Sequence, residues 1–157
     1  MSQDTLKKII ELLKKNNIQF EHQHHEAIPK DSLGASKVRG LNPDSGAKAL
    51  VLQGKSGKFY QAIISGNLRL DFKKLKKITN EKNISMASPD DVFRLTNCIV
   101  GTVPPLGVLF DITVFVDEKL VAREWVVFSA GTSTDSIKIN PKNLVKINNA
   151  TVDNFDK

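Results

Sequence analysis

The chain has 157 residues, 40% apolar and 25% charged, enough for one self-sufficient core and unlike the composition of disordered, collagen-like or coiled-coil chains. No run approaches the roughly 20 apolar residues of a membrane span, Met1 to Lys8 lack the apolar stretch of a secretory signal, and the single cysteine, Cys98, excludes an internal disulfide; these features predict a cytoplasmic protein with no membrane partner. Its 23 basic residues against 17 acidic ones leave a net charge of +6, which favours polyanionic partners.

Leu6, Ile9, Ile10 and Leu13 recur at helical spacing behind Asp4, a predicted N-cap, with Lys7-Lys8 and Lys14-Lys15 outside. Asn16-Asn17 ends that helix, and Ile18-Gln19-Phe20-Glu21-His22 alternates as a half-buried strand does. Asp31 to Arg39 reads as a short helix closed by Gly40, followed by a turn at Asn42-Pro43-Asp44-Ser45-Gly46. Ala47 to Gln53 and Lys58 to Ser65 read as the strands of a hairpin around Gly54-Lys55-Ser56-Gly57. Asp71 is placed to cap a helix with Phe72, Leu75 and Ile78 on one side and Lys73, Lys74, Lys76 and Lys77 elsewhere. Ser88 caps the next, with Pro89 in its first turn and Asp90 and Asp91 at the positive end of its dipole. Val100 to Gly107 contains two prolines and two glycines, so it is a shaped loop and not a helix. Further strands are predicted at Ile112 to Val116, Trp125 to Ser129 and Ser136 to Ile139, and a last helix from Asn140-Pro141. Helices and strands interleave irregularly around a hairpin, which predicts a single α/β domain over residues 1–157 with a mixed, curved sheet flanked by helices.

Lys48 shares a strand face with Leu50 and Leu52. An ammonium there can hold a phosphate or carboxylate, or it can snorkel from a strand end into water. The Gly101 to Gly107 loop can offer backbone amides to an oxyanion, or it can be a tight connection only. In the cluster His22, His24 and His25, the last two alternate faces on a strand, and no second histidine group completes a metal site, so no metal is expected. Cys98, beside Ile99 and Val100, reads as a small buried hydrophobe. The loop Ser129 to Ser136 carries hydroxyls and one acid but neither a phosphate-loop nor a dinucleotide fingerprint, and no cofactor is implied. The lysine pairs and the Lys73 to Lys77 run are solvated helix faces unless they converge into a phosphate-tracking patch.

Taken together, Gly46-Ala47-Lys48-Ala49-Leu50-Val51-Leu52, Leu70-Asp71-Phe72-Lys73-Lys74-Leu75, Ser88-Pro89-Asp90-Asp91-Val92, the run from Thr96 to Gly107, and Ser129-Ala130-Gly131 resemble the YbaK/prolyl-tRNA synthetase-associated domain family of trans-editing aminoacyl-tRNA deacylases. The resemblance runs in order from about His25 to about Leu144. It implies hydrolysis of the ester of a mischarged tRNA, with tRNA(Pro) carrying Ala, Cys or Ser as the expected substrate. The implied partners are tRNA and an aminoacyl-tRNA synthetase. It also implies that Lys48 holds the phosphate or ribose region of the terminal adenosine and that the Gly101 amide polarises the ester carbonyl. The substrate's own 2′-hydroxyl then orients the attacking water. Thr102, Val103, Pro104, Pro105 and Leu106, with Gly131, Thr132 and Ser136, are the implied substrate-binding residues. The alternative from another class is a tRNA-binding module of the same fold without activity. Some members selective for Cys-tRNA carry an Asp where this chain has Ser136 beside Asp135, and alanine-selective members often have a histidine where it has Leu106.

Overall fold

The computed structural model describes residues 2–27 and 45–157. The predicted helix at 31–39 and the first part of the turn at 42–46 lie outside the described residues.

Local side-chain chemistry sets most element ends. Helix α1 (Ser2–Lys15) begins before Asp4, which therefore lies in the first turn instead of at the cap, where a carboxylate still meets the positive end of the dipole. Its end uses up the next residues: Asn17 is left-handed at φ 55° and the Ile18 amide donates back to the Leu13 carbonyl. Strand β1 (Phe20–His24) consequently starts two residues later than the alternation from Ile18 predicts. The hairpin is as expected, with β2 (Ala47–Gly54) antiparallel to β3 (Phe59–Ser65). Helix α2 (Phe72–Thr79) is capped by Asp71, which accepts the amides of Lys73 and Lys74. After β4 (Ile84–Met86), helix α3 (Pro89–Thr96) is capped by Ser88, which accepts the Asp91 amide. A 3-10 turn (Gly107–Phe110) leads into β5 (Thr113–Asp117), helix α4 (Glu118–Val121), β6 (Val126–Ser129) and β7 (Asp135–Ile139). Helix α5 (Pro141–Asn148), capped by Asn140, and β8 (Thr151–Asp153) complete the chain order. Strands β4 and β8, the 3-10 turn and α4 are three or four residues each, too short to show a period in sequence.

Among the described residues the strands form two sheets, β4-β2-β3-β5-β8 and β1-β7-β6. The first is mixed, with β3, β5 and β8 parallel and β2 antiparallel to β3 and β4, as predicted. The second is antiparallel. A parallel bridge between Gly46 and Val127 joins them, so the second sheet continues the first at its β2 entrance. One apolar cluster gathers Ala47, Ile63 and Val116 of the large sheet, Phe128 and Ile137 of the small one, and Ile9, Leu13 and Leu144 of α1 and α5. On the opposite face of the large sheet, Leu52, Tyr60 and Ile64 pack with Leu75 of α2 and with Phe155.

The proline-containing loop is tied into this core. Leu106 is wholly buried in the first cluster, and Val103 packs with Val51, Val92 and the buried Cys98. Leu106→Ala should therefore lower unfolding stability by about 2–5 kcal/mol, read as a shift in the urea midpoint. A midpoint matching the parent would show that Leu106 does not anchor the loop.

Candidate functional site

The Gly101–Gly107 loop cannot bond to itself, because Pro104 and Pro105 have no N–H and their carbonyls face inward. Two side-chain amides serve it instead. Gln61, fully buried on β3, donates from Nε2 to the Pro104 carbonyl and accepts the Gly107 amide at Oε1, both at 2.9 Å. Asn148, in the last turn of α5, donates to the Pro105 carbonyl at 2.9 Å and to Leu144 at 2.8 Å, while its Oδ1 accepts the Val108 amide. Gly107 has no room for a side chain: a Cβ there would lie 2.6 Å from Val114. At the loop's other end Gly101 has φ 94°, a conformation that favours glycine. Its amide donates to no acceptor among the described residues.

The connection from β6 to β7 meets this loop through the Gly131 amide, which donates to the Thr102 carbonyl at 3.0 Å. Gly131 also has a positive φ, 87°. The connection is organised by Asp135, whose side chain is buried. Thr132 donates to its Oδ2 at 2.6 Å and Thr134 at 3.2 Å. His22 Nε2 and His24 Nδ1 donate to Oδ1 at 2.8 and 3.1 Å. Burial by itself would push this carboxyl up, but the hydrogen bonds from Thr132, His24, His22 and Thr134 outweigh it and hold the group well below the usual carboxylate range. The histidine spacing that raises the question of a metal thus serves to hold a carboxylate.

His25 points to the other face of the sheet. Its Nδ1 lies 2.7 Å from the Glu26 carbonyl, which can only accept, so in the neutral ring Nε2 accepts from the Ser136 hydroxyl, also at 2.7 Å. Ser136 is opposite Ser129 on β6 and Gln23 on β1. Two residues past the Gly46–Val127 bridge, the pleat brings Lys48 of β2 to the level and face of Ser129. Lys48, Ser129 and Ser136 therefore share one face across the seam between the sheets, next to the glycine loops. Lys48 is half-buried, and its Nζ reaches the Gly66 carbonyl at 3.3 Å. Burial, and then the nearby Arg69 charge, lower its pKa below the usual lysine range. Among the described residues it has no carboxylate partner. A desolvated cation without a counter-ion favours a bound anion.

Of the residues singled out in sequence, Thr102, Gly131 and Thr132 lie where the two loops touch, and Ser136 shares the seam face with Lys48. No hydrogen bond joins Lys48 to the Gly101 loop among the described residues. Val103 and Leu106 turn their side chains into the core, and the Thr102 hydroxyl returns to the Ile99 carbonyl; none of the three offers a free side chain at the surface of the loop. Pro104 and Pro105 are buried and bound through their carbonyls. The exposed apolar side chains just before Gly101 are Ile99 and Val100. Gln61 and Asn148 were missed, and His25 stood out only as part of the histidine cluster. Of the first two, Gln61 alone left a trace, as the one amide in the apolar run Tyr60 to Ile64.

Residues 30–147 match the model of the aminoacyl-tRNA editing domain. The chain belongs to that family. The resemblance read from its motifs, and the single α/β domain with a mixed sheet read from the order of its elements, are both borne out. The multifunctional Ser/Thr-tRNA deacylase ProXp-y of Escherichia coli strain K12 is 29% identical over 155 residues, 96% of this chain and 92% of the relative. EbsC of Enterococcus faecalis, provisionally named a Cys-tRNA(Pro)/Cys-tRNA(Cys) deacylase, is 28% identical over 82% of this chain and 74% of its own. A crystal structure provisionally described as a trans-editing enzyme for prolyl-tRNA synthetase superimposes with a TM-score of 0.81 at 23% identity, covering 98% of this chain and 97% of the other. No described helix is long and apolar enough to cross a membrane.

Because the Asp135 pKa is depressed in the fold, its carboxylate stabilises the protein above the ordinary Asp pKa, and that contribution is lost as pH falls from there toward the folded-state value. The melting temperature should fall below about pH 4 more steeply in the parent than in Asp135→Asn, and parallel pH curves would dismiss the carboxylate as the organiser of the β6–β7 connection.

Proposed function

We propose that the protein is an aminoacyl-tRNA deacylase that hydrolyses the ester of a mischarged tRNA in trans. The observation that carries this reading is Lys48, a half-buried ammonium without a carboxylate partner among the described residues, on one face with Ser136 and beside two glycine loops. In this reading Lys48 binds the phosphate or ribose region of the terminal adenosine. The ester carbonyl lies against the open Gly101 amide, a contact worth about 3 kcal/mol when it strengthens in the transition state. Water attacks the carbonyl carbon, oriented by the substrate's 2′-hydroxyl, and the tRNA 3′-oxygen leaves. The loops' part is positioning, for which their pinned backbone is suited.

The substrate is a small residue on tRNA(Pro), with serine first and alanine and cysteine after it. Relatives named for Ser/Thr-tRNA and Cys-tRNA support serine and cysteine, and the Ser136 hydroxyl, on the face of Lys48, is the polar group that supports serine first. A hydrogen-bonding site rejects an analogue without its polar group more strongly than an apolar pocket rejects a missing methylene. An aminoacyl-tRNA synthetase is the partner that supplies the mischarged tRNA.

Single-turnover hydrolysis of seryl-, alanyl-, cysteinyl- and prolyl-tRNA(Pro) tests the reading. Serine should be released fastest and proline slowest; equal rates for proline and serine would contradict the substrate assignment. Lys48→Ala should slow seryl release ten- to more than a hundredfold, about 1.5–3 kcal/mol of transition-state binding, and a parental rate would remove Lys48 from the site. The lowered Lys48 pKa gives a sign for pH: enzymatic hydrolysis relative to the uncatalysed reaction should decline as pH rises through a value below the ordinary lysine range. Lys48→Arg should move that decline upward.

A further inference from the structure

We propose that the hollow between the β2–β3 turn and the α2–β4 connection is a second contact with the tRNA, a phosphodiester site for the nucleotides leading away from the ester. The inference rests on the deacylase reading above. Gln53, Gly54, Lys55, Lys82, Asn83 and Ser85 line the hollow. Its floor is paired backbone: Gln53 lies opposite Ser85 and Gly54 opposite Ile84, and the Lys55 amide donates to the Asn83 carbonyl at 2.8 Å. Lys55 is held to the edge by its main chain, Lys82 directly precedes the Asn83 that holds it, and both side chains are exposed.

The two lysines that line the hollow are not ion-paired. Among the described residues neither Lys55 nor Lys82 has a carboxylate partner. The acid next to Lys82, Glu81, accepts the amide and hydroxyl of Ser56 at 3.1 and 2.6 Å and the Tyr60 hydroxyl at 2.6 Å. It is committed to holding the turn that carries Lys55, and a side chain at Gly54 would collide with it. Lys58, on the turn, offsets the charge of Glu81, and Lys76 and Lys77, in the last turn of α2, extend the positive field. The sequence run Lys73 to Lys77 does not act as a whole: Lys74 is bound to Asn154 and to the Asp156 carbonyl, at 2.7 and 2.9 Å.

Position and chemistry together select the ligand. Strand β2 carries Lys48 near its start and Gly54 at its end, about 20 Å apart at ~3.3 Å per residue. A single nucleotide at Lys48 cannot reach the hollow, whereas a nucleic acid strand continuing past it can. Lysines as point charges with amide and hydroxyl groups between them match phosphate oxygens, and no aromatic ring lines the hollow to stack a base. The site should read backbone and not sequence.

The test is equilibrium binding of uncharged tRNA(Pro) to the full chain over a range of salt, alongside hydrolysis of seryl-adenosine, which is too short to span the distance. Lys55→Glu/Lys82→Glu is compared with the parent and with Lys7→Glu/Lys142→Glu, which makes the same change in net charge on α1 and α5. The hollow variant should bind tRNA about tenfold or more weakly, with the slope of log affinity against log salt reduced by about 2, while both variants hydrolyse seryl-adenosine at the parental rate. Equal tRNA affinity and slope in the two double variants overturns the proposal. If the parent hydrolyses neither seryl-adenosine nor seryl-tRNA while the hollow variant alone loses tRNA affinity, the phosphate site stands and the deacylase reading falls. Should charge reversal lower the melting temperature, Lys55→Gln/Lys82→Gln takes its place, and parental binding by that variant overturns the site.

Discussion

Two buried side-chain amides decide the shape of the site. Pro104 and Pro105 deprive their loop of donors and put two carbonyls where water does not reach, so an unaided loop would carry unpaired polar groups into the core at about 1–3 kcal/mol each. Gln61 and Asn148 remove that penalty by taking both carbonyls and the amides of Gly107 and Val108. Because Gln61 is on β3 and Asn148 ends α5, the loop is referenced at once to the sheet and to the helix packed on the core. Its free end, Gly101, inherits that rigidity and keeps its amide open.

The second loop is held by charge. Asp135 collects two threonine hydroxyls and two imidazoles, which ties the β6–β7 connection to β1 and sets the Gly131 amide against Thr102. Hydrogen bonds to an ionised acceptor are the stronger kind, and four of them on one buried carboxylate leave the connection few alternatives. The next residue, Ser136, points to the opposite face and bonds to His25. Neighbouring residues of one strand thereby do different work: one builds the loop and the other faces the seam.

Lys48 shows how sheet topology creates an electrostatic site. The Gly46–Val127 bridge brings the entrance of β2 alongside β6, and the ammonium lies where the two sheets join, partly desolvated and near another cation. Such a group is unfavourable alone and favourable with an anion beside it.

Much of this protein was legible in its local sequence. Asp71, Ser88 and Asn140 announce their helices because a cap needs only its own next two or three amides, the Gly54–Gly57 turn announces a hairpin, and the run from Gly101 to Pro105 announces a loop of restricted shape. The motifs around Lys48 and Gly101 carried the family as well. The partners of the three histidines and the work of Gln61 and Asn148 were decided only in three dimensions. Asp135 lies more than 100 residues from His22 and His24, and Pro104 and Pro105 each lie 43 residues from the amide that holds them. A sequence states which residues can cap, turn or pack with their neighbours; which distant carbonyl an amide will meet depends on how sheets and helices come together, and that is fixed by burial of the whole core.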